Sequence, residues 1–117
     1  MDKRTLKPQY KESEIPAGIY RVVNTQADRS FVGSSVNLPA ILNRHRAELK
    51  MGAHRIQELQ RDWNELGEGA FAFEILDTLT PKAEPGYDVK RELGALEELW
   101  IERLAPYGEH GYNTRPK

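Results

Sequence analysis

The stretch AGIYRVVNTQADRSFVGSSVNL, residues 17–38, decides the fold. GIYRVV is rich in β-branched and aromatic residues, the composition of a strand packed on a pleated surface. NTQADR supplies turn chemistry through Asn24, Thr25 and Asp28, whose side chains bond nearby backbone. SFVG resumes as a strand, so the two runs read as a hairpin. Gly18 with Tyr20 frames its start, and Phe31 with Gly33 frames its end. A hairpin accounts for these glycine–aromatic pairs. So does an active site that needs backbone and substrate close together.

Reading outward, Leu38, Ile41, Leu42 and Leu49 recur at helical spacing. Asn37 is placed to cap that helix, Pro39 sits in its first turn, and Gly52 is placed to end it. A second helix reads through residues 54–67, HRIQELQRDWNELG, with Ile56, Leu59, Trp63 and Leu66 on one stripe and Gly67 at its end. Residues 71–79, FAFEILDTL, turn Phe71, Phe73 and Ile75 inward and Ala72, Glu74 and Asp77 outward, which predicts a third strand. Residues 80–89 read as a loop, a third helix runs from Lys90 to Leu104, and the remainder is turn-rich. The order β-β-α-α-β-α predicts an α/β (α+β) unit on a small sheet, at least partly antiparallel. Residues 1–15 read as a tail or arm, and residues 16–117 as a single domain.

Composition narrows the function classes. The chain has 117 residues, which fits one domain with one core. Its 38% apolar and 30% charged content is that of a globular chain rather than a disordered one. With no cysteine there is no disulfide framework and no thiolate nucleophile, which suits a reducing cytoplasm. The opening segment MDKRTLKPQYKESEIP lacks the apolar centre of a signal peptide, and no apolar run approaches the roughly 20 residues of a membrane helix. The expectation is a cytoplasmic protein without a membrane role. A net charge of −1 and a pI of 6.3 argue against strong non-specific nucleic-acid affinity, so any such role needs a local basic patch.

Two polar residues fall on apolar faces. In the third helix, Leu93, Leu96, Trp100, Ile101 and Leu104 form a face that also contains Glu97. A carboxylate there is costly unless paired, hydrogen-bonded or bound to a metal. In the first helix His45 sits among Leu38, Ile41, Leu42 and Leu49. Each residue has a plain structural reading, a satisfied stripe-edge glutamate and a satisfied core histidine. By spacing alone, His54 and His110 read as surface residues. There is no P-loop, no dinucleotide fingerprint, no H-E-x-x-H, no cysteine–histidine metal cluster and no G-x-S-x-G elbow.

GIY at 18–20, FVGS at 31–34, the glutamate of ALEELWIERL and the late GYN together resemble the GIY-YIG nuclease family over residues 17–114. The segment NRHRAELKMGAHRIQELQRDWNELG is similar to the corresponding helices of phage intron-encoded members. The resemblance implies a small three-stranded antiparallel sheet flanked by helices. It also implies metal-dependent endonuclease activity, hydrolysing phosphodiester bonds in DNA with one divalent cation. Tyr20 then matches the tyrosine general base, His45 a residue that contacts it, Glu97 the protein ligand of Mg²⁺ (or Mn²⁺), and Asn113 a supporting carboxamide. These four are expected to line one solvent-accessible cleft. His54 matches a position on the DNA-facing rim, and Ser34 falls in the FVGS motif beside the substrate.

Two positions depart from the family. Phe31 stands where a second tyrosine is usual, and Ile41 where an arginine neutralises the scissile phosphate. Arg44, three residues on, is the expected substitute. Arg21 and Arg29 are weaker ones, with surface charge as the plain reading of all three. Arg44, Arg46, Lys50 and Arg55 are expected to form one basic face on the cleft side. The alternative is a catalytically weakened or inactive nucleic-acid-binding module on the same scaffold. A protein-interaction domain is a third, weaker reading. Specificity would come from a structured or nicked DNA, a homodimer or a targeting partner.

Overall fold

The computed structural model describes residues 15–80 and 85–115. The tail at 1–15 lies almost wholly outside the described residues. Strand β1 (Ala17–Asn24) pairs antiparallel with β2 (Arg29–Ser35) and, on its other side, with β3 (Phe71–Leu79). The sheet order is β2-β1-β3, so β1 is central and β2 and β3 are edges. A central strand covered on both faces is mostly apolar, and seven of the eight residues of β1 are buried, Asn24 being the polar one among them. The connecting turn is held by Asn24, whose Oδ1 accepts from the backbone of Gln26 and Ala27 at 3.1 Å each.

Three helices complete the unit: α1 (Leu38–Met51), α2 (Gln57–Leu66) and α3 (Val89–Leu104). Asn37 caps α1 by accepting from the Ala40 amide at 3.0 Å. Gly52, at φ +74°, turns its C-terminus back on itself, with the Ala53 amide bonded to the Glu48 carbonyl at 2.9 Å. Helix α2 starts at Gln57, not at His54, because Ile56 is extended and serves as its N-cap. Leu66, expected on the buried stripe of α2, is exposed. None of the helices in the described residues is long and apolar enough to cross a membrane.

The register sorts side chains between the two faces. Val22, Leu49, Leu59, Trp63, Ala70, Phe71 and Tyr112 form one core cluster between the sheet and α1 and α2, with Phe31 and Phe73 packed against it. The Tyr20 ring shares that face, two residues before Val22. Helix α3 packs on the opposite face of β1 and β2, burying Leu93. Ile75, expected inward, is 49% exposed. The pairing jumps from Ile19↔Asp77 to Tyr20↔Ile75, so Leu76 is an extra residue and the strand bulges beside Tyr20.

The edge of β2 is partly covered by the last described segment. Gly111 forms a parallel bridge with Ser30, and the Tyr112 amide donates to the Ser30 carbonyl at 2.9 Å. The Asn113 carboxamide then grips Val32, accepting from its N–H and donating to its C=O at 2.9 Å each. A Cβ on Gly111 would lie 1.8 Å from the Pro106 carbonyl, so only glycine fits there. Among the described residues this cover ends at Val32, and the edge at Gly33 and Ser34 follows.

Candidate active site

Gly33 and Ser34 gather the site because they lie opposite Tyr20 and Ile19 in the register. A Cβ on Gly33 would sit 2.7 Å from the Tyr20 hydroxyl oxygen, so the missing side chain is what lets the ring lie across β2. Ser34 faces the other side of the sheet, where its hydroxyl donates to Glu97 Oε1 of α3 at 2.7 Å. The tyrosine and the glutamate thus reach the same stretch of edge from opposite faces. The chain of contacts keeps Tyr20 Oη within about 13 Å of the Glu97 carboxylate, adjacent Cα atoms being about 3.8 Å apart.

Tyr20 is only 3% exposed and meets a column of rings. Its Oη lies 2.8 Å from His45 Nε2, and His45 Nδ1 lies 2.8 Å from His54 Nε2. The two imidazoles stack with centroids 5.0 Å apart, and Phe31 leans on both Tyr20 (6.2 Å) and His45 (5.5 Å). Burial pushes the Tyr20 phenol up to about 12; Arg55 opposes that rise, Glu97 adds to it and Arg44 opposes it. Burial, with His54 alongside, brings His45 down to about 4, and burial also lowers His54. Both imidazoles are therefore neutral at pH 7.

His54 is a correction on both counts. It is neither a surface residue nor a rim residue: its side chain is fully buried. The reversal at Gly52 folds residue 54 back over α1, and Gln60 holds it by accepting from the His54 amide at 3.0 Å and donating to the Leu49 carbonyl at 3.0 Å. The signal was present in the sequence as a glycine-terminated helix followed two residues later by a histidine, which places that histidine beside the previous turn.

The expected single open cleft is not what forms. Tyr20 and His45 are buried, and both ends of the Asn113 amide are committed to β2 backbone. A cavity of about 510 Å³ opens beside the ring column, lined by Phe31, Arg55, Ile56 and Tyr112 among others. The expected basic face also divides. Arg46 lies over the Phe73 ring at 4.4 Å, and Lys50 reaches Glu68 at 3.6 Å. Arg44 and Arg55 are the cations that bear on Tyr20, and Arg44 pairs with Glu48 at 3.1 Å. Arg21 is engaged by Glu74 at 2.6 Å, and Arg29 by Asp62 at 3.0 Å.

Two places invite a cation. His45, Glu48 and His54 bring a nitrogen or oxygen each within 4.8 Å of one another. Their donors are spent, however. The Ile56 amide donates to His54 Nδ1 at 3.1 Å, so His54 carries its proton on Nε2, the atom a metal would need. Glu97 fits better. One oxygen accepts from Ser34, the other has no hydrogen-bond partner among the described residues, and a single hard carboxylate suits a hydrated Mg²⁺.

No family model matches the sequence, and a comparison with curated proteins gave no match. Solved structures do match. One is the catalytic domain of the homing endonuclease I-TevI, at 31% identity and a TM-score of 0.67, spanning 86% of this chain and 99% of that one. Another is a mutant form of the catalytic domain of the intron endonuclease I-TevI, at 28% identity and a TM-score of 0.68, spanning 85% of this chain and 93% of that one. With the three-stranded antiparallel sheet, the glycine-backed tyrosine and the α3 glutamate in the same order, the chain belongs to the GIY-YIG nuclease family.

Proposed function

We propose that this chain is a Mg²⁺- or Mn²⁺-dependent endonuclease acting on DNA, with Tyr20 as the base that takes the proton of the attacking water. The observation that carries the reading is the buried Tyr20–His45 contact at 2.8 Å on the glycine-backed strand, at the edge that Glu97 reaches from the other face. A water oxygen attacks phosphorus, its proton passes to the Tyr20 oxygen, and the bond to the leaving sugar oxygen breaks. Tyr20 must be ionised to do this, and its ordinary pKa near 10 is already pushed up by burial. Help comes from the His45 hydrogen bond and from the Arg55 and Arg44 charges. Glu97 would hold the cation, which when bound neutralises charge growing on the phosphate and leaving oxygen. Ser34 orients that carboxylate, and Asn113 supports the site by fixing β2. Arg44 and Arg55 are the phosphate contacts, while Arg46 and Lys50 touch DNA only farther along the surface. A homodimer, a targeting partner or a structured or nicked DNA supplies specificity.

A nicking assay on supercoiled plasmid tests the reading. Nicking with Mg²⁺ or Mn²⁺ is expected, abolished by EDTA and by Glu97→Ala. Activity surviving Glu97→Ala would sink the proposal. Ile41 favours a second reading, a DNA-binding module whose catalysis has been lost, because an aliphatic side chain cannot neutralise a phosphate.

A further inference from the structure

Every hydrogen bond in the ring column has a direction, and one backbone proton sets them all. The Ile56 N–H cannot move, and it points at His54 Nδ1 at 3.1 Å. That nitrogen must therefore be the unprotonated one, which puts the neutral imidazole's hydrogen on Nε2. Glu48 lies 3.9 Å from this Nε2, beyond hydrogen-bond range, whereas His45 Nδ1 is at 2.8 Å. His54 thus donates to His45 Nδ1. His45 must then carry its own hydrogen on Nε2, and that hydrogen faces the Tyr20 oxygen at 2.8 Å. Reversing the column would set a His54 Nδ1–H against the Ile56 N–H. Neither imidazole has room for a second proton without breaking a bond in the series.

We propose that His54 is a positioning residue that acts through His45: anchored by the first amide of α2, it locks His45 as a hydrogen-bond donor to Tyr20, so the Tyr20 oxygen is always an acceptor on this side. The inference rests on the reading of Tyr20 as the base and decides between two forms of it. With His45 as donor, the imidazole stabilises the phenolate and never receives the Tyr20 proton. With His45 as acceptor, it would take that proton in a relay. The locked tautomer selects the first.

The test is direct. In ¹⁵N-labelled protein at neutral pH, two-bond nitrogen–proton correlations report which ring nitrogen of each histidine is protonated. His45 and His54 are both expected in the Nε2–H form. An Nδ1–H form of either, or a mixture, overturns the proposal, and this readout needs no nuclease activity. Failure of the nicking assay with the expected tautomers would instead remove the proposed function and leave the locked column standing. Kinetics add a second arm. His54→Phe keeps a ring but removes the donor, and should lower kcat for nicking at least about tenfold with KM for DNA unchanged. His54→Gln, whose amide can still donate to His45 Nδ1, should restore most of it. A kcat untouched by His54→Phe, or a loss confined to KM, would overturn the positioning role even with the tautomers as assigned.

Discussion

The molecule buries two tyrosines on the same side of its sheet, and burial pushes both up to about 12. Their partners make them different instruments. Tyr112 donates to the Asp62 carboxylate at 2.7 Å and accepts from Asn24 at 3.2 Å, while Arg29 lies over its ring at 4.3 Å and pairs with Asp62 at 3.0 Å. A phenol donating to a carboxylate is held in its neutral form. At Tyr20 burial also favours the neutral phenol, but the Arg55 and Arg44 charges oppose it, and the hydroxyl meets a neutral imidazole instead of a carboxylate. The same residue type, buried in both places, closes the fold in one and stands as the proposed base in the other.

Removing one hydroxyl from each is the hardest test of that contrast. Tyr20→Phe is expected to cut nicking by about 10³, within the span assigned to acid–base catalysis, and to cost about 1–3 kcal/mol because the buried His45 Nε2–H loses its acceptor. Tyr112→Phe should cost a similar 1–3 kcal/mol, about what stripping partners from Asp62 and Asn24 takes, while the folded fraction still nicks. Equal losses of activity in the two variants would erase the distinction.

The charged half of the Tyr112 network should be the next most sensitive. Arg29 and Asp62 each have only 15% of their side chain exposed, and Arg29 also donates to the carbonyls of Gly108 and Gly111. Arg29→Ala leaves a largely buried carboxylate without its cation and should cost about 3 kcal/mol in chemical denaturation. A small stability loss with complete loss of nicking would move Arg29 into the active site.

How legible these two regions were differs for a physical reason. The site strand, the α1 cap at Asn37, the Gly52 terminus and the third strand follow local rules of propensity, capping and alternation, and they stand as read. Glu97 and His45 were visible because each breaks an apolar stripe within one helix. The Tyr112 network was not legible, since Asn24, Arg29, Asp62 and Tyr112 come from β1, β2, α2 and the last segment and share no spacing. Ile75 keeps the face of Phe71 and Phe73 in the register, opposite Tyr20, but it lies on the edge strand β3, and nothing in FAFEILDTL marks that this part of the face is left half open. The bond between Ser34 and Glu97 likewise depends on two elements meeting across an edge.

Acid separates the two tyrosines again. His45 titrates at about 4 in the folded protein against 6.5 for the free side chain. Between those values the unfolded chain takes up a proton that the fold refuses, so stability is full above pH 6.5 and declines as pH falls toward 4. The loss from pH 6.5 to 4.5 should reach about 2 kcal/mol, with His54 adding in the same sense. The raised tyrosines act at the other end, contributing fully below pH 10 and losing that contribution between 10 and about 12. Urea midpoints across pH 4–7 should slope in the wild type and flatten in His45→Gln. A slope that survives His45→Gln unchanged would place the acid sensitivity elsewhere.

The smallest expected effect concerns the missing family arginine. Ile41, Arg44, His45 and Glu48 follow one another at i, i+3, i+4 and i+7 along α1, so they share the face that meets Tyr20. Ile41 is half-buried there, and Arg44 is paired with Glu48 at 3.1 Å but 73% exposed. An exposed i,i+4 pair holds Arg44 by only about 0.3–0.5 kcal/mol, which a charge-assisted bond to phosphate exceeds. Arg44→Ala should therefore slow nicking about tenfold, which is about 1.4 kcal/mol of barrier. Ile41→Arg should raise the rate, at some cost in stability where apolar contact is lost. If Arg44→Ala is neutral and Arg55→Ala takes the tenfold loss, the clamp is the residue that follows the buried histidine, and α1 contributes only His45 to the chemistry. If the wild type is inert and Ile41→Arg gains Glu97-dependent nicking, the column around Tyr20 is intact machinery lacking one charge, and the DNA-binding reading holds for the natural chain.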